Sequence, residues 1–343
     1  MQKTVIVIGG GIAGMTTASA LSELDVQVIL IEKENHLGGH VGQWDRLFPS
    51  LRPASEVMHF VEESMKPPIA VNCNTTVTKI IRNGKGFKLS ISNGNEINGD
   101  ALVITTGYDL FDARKKEEYG YGIYDNVITS AELEGWFKEG KSIINSNGKI
   151  PDRIGLIHCV GSRDEKVGNI YCSKVCCVTG VKQAIEIKQQ LPEAEVFSFY
   201  MDLRMFDRNF EELYFEAQQK WGINFIRGRL SECAENPDGS LVLKTEDTLS
   251  GRPLKMTVDL LVLLVGFVPR PETSTLASML GLPTGQDRFL TSLDEHIKNN
   301  DTTVPGVFLA GAVKGPSCIA NTIADARSTA IQVMSYLNST PGN

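Results

Sequence analysis

Positive charge is scarce in this chain: 34 Lys and Arg face 41 Asp and Glu across 343 residues, a formal net charge of -7. No stripe of cations is available to neutralise phosphates, which excludes an extended nucleic-acid footprint. Long hydrophobic runs are missing as well. The longest lies within Val258–Val268, is too short to span a bilayer and reads as a buried strand, so no membrane span is expected. The first residues pass from MQKT straight into VIVIGG, with no charged n-region and no small-residue cleavage site, so a cytoplasmic protein is expected. The 5 histidines are scattered, and neither a Ser-His-Asp arrangement nor a metal-hydrolase motif is visible. Paired C-x2-C knuckles are absent although there are 7 cysteines. In a chain without an export signal such cysteines do not make a disulfide framework, because cytosolic thiols stay reduced.

What is present is ordinary globular material, 42% hydrophobic and long enough for two domains with cores of their own. The opening reads as a βαβ unit: strand Thr4 to Ile8, a helix from about Ile12 with Gly14, Ala18 and Leu21 on one face, and strand Val26 to Ile31. Hairpin signals follow at Asn83-Gly84 and Asn93-Gly94, and the meander runs into Asp100-ALVITT-Gly107. The same ending recurs after a turn at Asp238-Gly239, as Asp259-LLVLLV-Gly266. This is a degenerate internal repeat. Its second copy is expected to start with strand Ile154 to His158, continue in a helix from about Cys176 to Gln190 and return in strand Glu195 to Tyr200. The fold class expected is α/β, a Rossmann-like dinucleotide-binding domain plus a second, degenerate Rossmann-like module. The expected division is 1–135, 136–265 and a return segment 266–343 that completes the first domain. Residues 109 to 150 read as a connecting segment with one short helix near Ala131 to Lys138.

Gly9, Gly11 and Gly14 spell G-x-G-x-x-G between strand and helix, with Ile12 and Ala13 inside the turn. The glycines allow a tight turn and close approach of a pyrophosphate, and the helix N-terminus attracts its charge. Glu32, 18 residues after Gly14, ends the next strand and is placed to accept hydrogen bonds from an unphosphorylated ribose, with Lys33 beside it. That motif alone does not separate FAD from NAD. Gly38-Gly39-His40, Thr105-Thr106-Gly107 and the late Val307-FLA-Gly311 favour FAD, and Val77 falls in the same module. This layout resembles the two-dinucleotide-binding-domain flavoproteins. The resemblance implies a helix N-terminus at Ile319, Ala320 and Asn321 near the flavin pyrimidine. It also exposes a departure: where such proteins usually carry an Asp for the ribityl chain, this one has Ala312, so that contact must come from elsewhere.

The second copy lacks a glycine-rich turn. In its place stand Cys159-VGSRDE and Tyr171-Cys172-SKV-Cys176-Cys177, a C-x12-C-x3-C-C pattern. Four thiolates at a strand end and a helix start suit a 4Fe-4S cluster, and a helix N-terminus lowers thiol pKa. Structural zinc and a redox disulfide, for instance between Cys176 and Cys177, remain alternatives. Cys73, Cys233 and Cys318 read as buried thiols.

The runs CVGSRDE, YCSKVCC and VTGVKQAIE resemble the FAD-binding core of the heterodisulfide reductase A-subunit family, across nearly the whole chain. The resemblance implies that Cys159, Cys172, Cys176 and Cys177 hold a 4Fe-4S cluster beside the flavin, and that Lys182 matches a lysine near the flavin's reactive edge. It further implies B- and C-type partner subunits around a homodimeric core. No C-x2-C-x2-C-x3-C-P run is present, so the chain looks like the short, sulfur-oxidation form without ferredoxin domains. The expected function is electron transfer, with flavin as one-/two-electron converter. A self-sufficient pyridine-nucleotide disulfide oxidoreductase and a flavin-bound scaffold protein without turnover are the rivals.

Overall fold

A computed structural model describes residues 2–339 of the chain. They form two compact units, one made of the chain up to Gly42, Ala54–Asp109 and the chain from Val268 onward, the other of Gln43–Pro53 and Leu110–Phe267.

The first unit is built on a parallel sheet of five strands in the order Val307–Leu309, Ala101–Ile104, Thr4–Ile8, Gln27–Ile31, Ile69–Asn72. Runs such as TVIVI and QVILI are β-branched and apolar almost throughout, as a sheet covered on both faces requires. The two-residue alternation of a strand divides them between two cores. Ile6, Ile8, Leu102 and Ile104 pack with Ile80, Phe87 and Leu89 of an antiparallel meander. Val5, Val7 and Val103 pack with Ala18 and Leu21 of helix Ile12–Ser22 and with Ala326, Ala330 and Val333 of helix Ile319–Ser339. The late strand Val307–Leu309 pairs in parallel with Leu102, Val103 and Ile104.

The second unit repeats the plan. Its parallel sheet runs Val127–Thr129, Leu260–Val265, Arg153–Val160, Glu195–Tyr200, Asn224–Arg227, again with a three-stranded antiparallel meander, Glu232–Glu235, Leu241–Asp247 and Arg252–Val258. One difference is the edge strand. The first unit takes it from the chain after its core, the second from the chain before it. This explains why residues 109 to 150 are more than a connector. They supply that edge strand and helix Ser130–Lys138, started by a capping box in which Glu132 Oε2 accepts from Thr129 N at 2.7 Å and Thr129 Oγ1 from Glu132 N at 3.3 Å. The longer stretch of the second unit begins at Leu110, and residue 135 lies inside this helix. Gln43–Pro53 joins the same unit with no compositional signal. No helix among the described residues is long and apolar enough to cross a membrane.

Candidate functional site

In the first unit the glycine turn is an open cradle. Gly9 has φ +112° and a Cβ there would stand 2.6 Å from Thr105 O, while one at Gly14 would stand 1.8 Å from Gly9 O. Both glycines are required by the protein itself. Gly11 differs: a Cβ there would meet nothing within 4 Å, which leaves room on the ligand side. Gly11 is the N-cap of helix Ile12–Ser22 and makes no side-chain cap, so the first-turn N–H groups around Ile12 and Ala13 have no side-chain acceptor from it. A pyrophosphate is the ligand such a terminus takes. Glu32 is buried, its Oε2 accepting from Gly10 N at 2.5 Å and its Oε1 from Glu34 N at 2.8 Å, so the carboxylate is fixed against the turn.

The remaining expected residues lie in the same unit. Gly38 N donates to Gly10 O at 2.9 Å, and a Cβ on Gly39 would lie 3.2 Å from Gly11 Cα. His40 stacks on Tyr108 at 4.6 Å, with Nε2 3.0 Å from Tyr108 O. Thr105 Oγ1 donates to Gly9 O at 2.8 Å, Thr106 Oγ1 lies 3.4 Å from Thr273 Oγ1, and Gly107 turns the chain with φ +70°. Lys33 pairs with Glu272 at 2.8 Å. Val77 opens a strand two residues beyond Thr75, whose N–H donates to Glu32 O at 2.9 Å. Gly311, with φ +75°, packs so tightly that a Cβ would meet Ala13 Cβ at 2.7 Å, and Ala312 is buried beside it. Ile319, Ala320 and Asn321 form the first turn of the last helix, where Ala320 and Asn321 are exposed. Sequence reading missed Asp325: its Oδ2 accepts from Gly311 N at 2.7 Å, and its Oδ1 from Lys314 Nζ at 2.7 Å and Asn300 Nδ2 at 2.8 Å. A carboxylate thus stands at the late glycine from 14 residues downstream. FAD fits this unit through the open face at Gly11, the uncapped helix start and the fixed Glu32 carboxylate.

In the second unit the corresponding turn is occupied by cysteines. Strand Arg153–Val160 carries Cys159 at its end, and helix Cys176–Gln190 begins without a side-chain cap. Cys159 Sγ and Cys176 Sγ are 4.0 Å apart, and Cys159, Cys176 and Cys177 are buried. Cys172 is half-buried, its Sγ accepting from Lys174 N at 3.3 Å. Cys177 Sγ lies 3.7 Å from Asp202 O. Hydrogen bonding from Cys176 draws the Cys159 thiol down to about 7 and Cys177 down to about 4, with the nearby His158 assisting both, while Cys176, the donor, is pushed well up. Three non-glycine residues of this loop, Cys159, Arg163 and Lys174, hold positive φ (+62°, +53°, +57°), a strained conformation that persists only where surroundings enforce it. The enforcement is visible. Asp164 is buried between Lys116 Nζ at 2.7 Å and Arg229 at 2.6 Å, and Arg163 forks onto Asp202 at 2.6 and 3.0 Å.

Among the described residues no group of three or more His, Cys, Asp or Glu is placed to hold a single metal ion. A cluster in which each iron takes one thiolate does not ask for that convergence, and the soft, partly ionised donor set matches it in chemistry. Of the other thiols, only Cys233 is buried; Cys73 and Cys318 are half-exposed, contrary to the sequence expectation. Lys182 is not a solvated helix lysine. It is 2% exposed, 2.5 Å from Glu134 Oε1 and 3.0 Å from Glu186 Oε2. Neither glutamate carries a sequence motif.

A family profile described as pyridine nucleotide-disulphide oxidoreductase matches residues 1–128 and 174–332. The interval between the two matched stretches contains Cys159 and Cys172. Among curated proteins the chain is 32% identical to the A subunit of the H(2):CoB-CoM heterodisulfide,ferredoxin reductase of Methanothermobacter thermautotrophicus, over 96% of this chain and 63% of that protein. It is 33% identical to the iron-sulfur A subunit of the CoB--CoM heterodisulfide reductase of Methanocaldococcus jannaschii, over 97% and 64%. The chain therefore spans less than two thirds of the length of these relatives. Among solved structures, thioredoxin reductase of T. acidophilum aligns with a TM-score of 0.67 at 16% identity, covering 98% of this chain and 99% of that one. Lactococcus lactis thioredoxin reductase aligns with 0.67 at 18%, covering 99% and 100%. At such identities the likeness is one of fold.

Proposed function

Because the chain belongs to the pyridine nucleotide-disulphide oxidoreductase family, with heterodisulfide reductase A subunits as relatives over nearly its whole length, we propose that it is an FAD- and 4Fe-4S-containing electron-transfer component of a heterodisulfide-reductase-like complex. The proposed setting is sulfur-compound oxidation in the cytoplasm, with B- and C-type partner subunits and a homodimeric core. The observation that carries the reading is the replacement of a second glycine turn by the Cys159, Cys172, Cys176, Cys177 set, with Cys159 at the strand end and Cys176 and Cys177 at the helix start. Gly161 adds support: a Cβ there would stand 2.0 Å from the Phe111 ring, so side-chain material fills this turn rather than a glycine cradle.

Flavin exchanges electrons singly or in pairs, and an iron-sulfur cluster singly, which is the chemistry the two groups supply when bound. The chain's own residues do the rest. Gly9 and Gly14 shape the turn, its open face at Gly11 would admit the pyrophosphate to the first-turn N–H groups of the helix, Glu32 would hold the ribose, and Asp325 is proposed to provide the carboxylate that Ala312 lacks. Lys182 is held as a buried cation by Glu134.

The 4.0 Å contact also favours a second reading, a Cys159–Cys176 dithiol that forms a disulfide while giving two electrons and two protons to an acceptor such as flavin. Cys176→Ser separates the two. A cluster reading expects the variant to lose iron and keep flavin. Brisk NADH oxidation by the isolated protein, with no iron in it, would establish the disulfide oxidoreductase instead.

A further inference from the structure

Helices Ser130–Lys138 and Cys176–Gln190 bury three ionisable side chains against each other, Glu134, Lys182 and Glu186, at 4%, 2% and 4% exposure. Two carboxylates face one ammonium there, and their environments differ. Glu134 Oε1 accepts from Lys182 Nζ at 2.5 Å, from Asp45 N at 3.1 Å and from Arg46 N at 3.4 Å, and Oε2 accepts from Gln183 Nε2 at 2.8 Å. Lys182 Nζ also donates to Arg46 O at 2.9 Å. Glu186 has far less. Its Oε2 stands 3.0 Å from the Lys182 ammonium it shares with Glu134, and no backbone or amide N–H donates to either of its oxygens. Gln183 Oε1, three positions back on the same helix face, is likewise a buried acceptor without a donor.

We propose that Glu186 is a proton-binding site of the resting protein, present as the neutral acid while Lys182 and Glu134 form the charged pair. A buried carboxylate whose one countercharge is already paired with another carboxylate is costly to keep ionised, and taking up a proton removes that charge. The charges that face it point the same way. Glu134 on the neighbouring helix and Asp45 on the Gln43–Pro53 segment disfavour ionisation, and only Lys182 favours it. Arg46 adds little countercharge, since its guanidinium lies 3.6 Å from Asp45 and only its backbone groups reach the pair. Burial, opposed by Lys182, pushes Glu186 up to about 7. The site therefore exchanges its proton near neutrality, and any change in the charge or position of Lys182 shifts that exchange. This goes beyond the electron-transfer reading and does not depend on it.

The test is infrared spectroscopy of the full chain with carbon-13-labelled glutamate, from pH 6 to pH 8. A protonated glutamic acid band present at pH 6 and titrating away near neutrality, and missing from Glu186→Gln, supports the site. In Glu134→Gln the single remaining carboxylate pairs with Lys182, so the midpoint should fall enough to cut the acid population at pH 7 tenfold or more. No such band at pH 6, or a band that persists in Glu186→Gln, overturns the proposal. Should Glu186→Gln fail to fold, Glu134→Gln decides, because an unmoved midpoint also overturns it.

Discussion

Cys159 Sγ and Cys176 Sγ are in contact at 4.0 Å although 17 residues separate them, one at the end of a central strand and the other at the first position of the helix that follows. That is where a dinucleotide-binding unit normally presents its glycine turn. The first unit keeps the turn and the second has exchanged it for thiols.

Cys172 distinguishes the cluster from a dithiol. It is half-buried and its sulfur is held by the Lys174 backbone N–H, so a disulfide between Cys159 and Cys176 has no use for it. Cys172→Ser should lose most of its iron while flavin absorbance stays. Unchanged iron would remove Cys172 from the ligand set.

Gly11 and Gly14 should respond in opposite ways to alanine. A Cβ at Gly14 would meet Gly9 O at 1.8 Å, so Gly14→Ala should destabilise the fold itself by about 3 kcal/mol or more. At Gly11 there is open space, so Gly11→Ala should leave the unfolding midpoint of the flavin-free protein unchanged and weaken flavin binding at least tenfold, about 1.4 kcal/mol. Thermal melts with and without added FAD check both.

Among the described residues, Lys182 is the one cation that touches both buried carboxylates, Glu134 and Glu186. Lys182→Met should cost about 3–5 kcal/mol, since it leaves Glu134 buried and uncompensated. Adding Glu134→Gln should recover part of that loss, and denaturant unfolding of the single and double variants measures it. Additive losses would mean the pair is not coupled.

Stability should depend on pH through Glu186. Its folded pKa of about 7 lies above the ordinary 4.5, so its contribution is fully present below 4.5 and is lost as pH rises through 7. The loss is on the order of 3 kcal/mol, and Glu186→Gln should flatten that slope. Urea midpoints at pH 5 and pH 8 give the comparison.

Much of this fold was legible because its signals are local. The helix Cys176 to Gln190 and the strand Glu195 to Tyr200 lie at the bounds expected, since each is a periodic apolar segment with clear ends. The glycine turn and Glu32 were readable for the same reason. Residues 110 to 129 were not, because Val127–Thr129 is three residues long and is a strand only through its pairing with Leu261, Val262 and Leu263. Asp325, Glu134 and Glu186 were invisible because each acts across the fold: Asp325 on Gly311, Glu134 on a lysine 48 residues away. A carboxylate on a helix carries no sign of what it will face. Ala312 gave a hint by lacking the expected carboxylate, but not where the replacement would come from.

The second unit is proposed to hold a cluster on Cys159, Cys172, Cys176 and Cys177. Its most direct test is iron and acid-labile sulfide analysis, beside the absorption spectrum, of the protein purified without oxygen. Such a cluster gives flavin bands together with about four irons and about four sulfides per chain. Flavin bands without iron would contradict it.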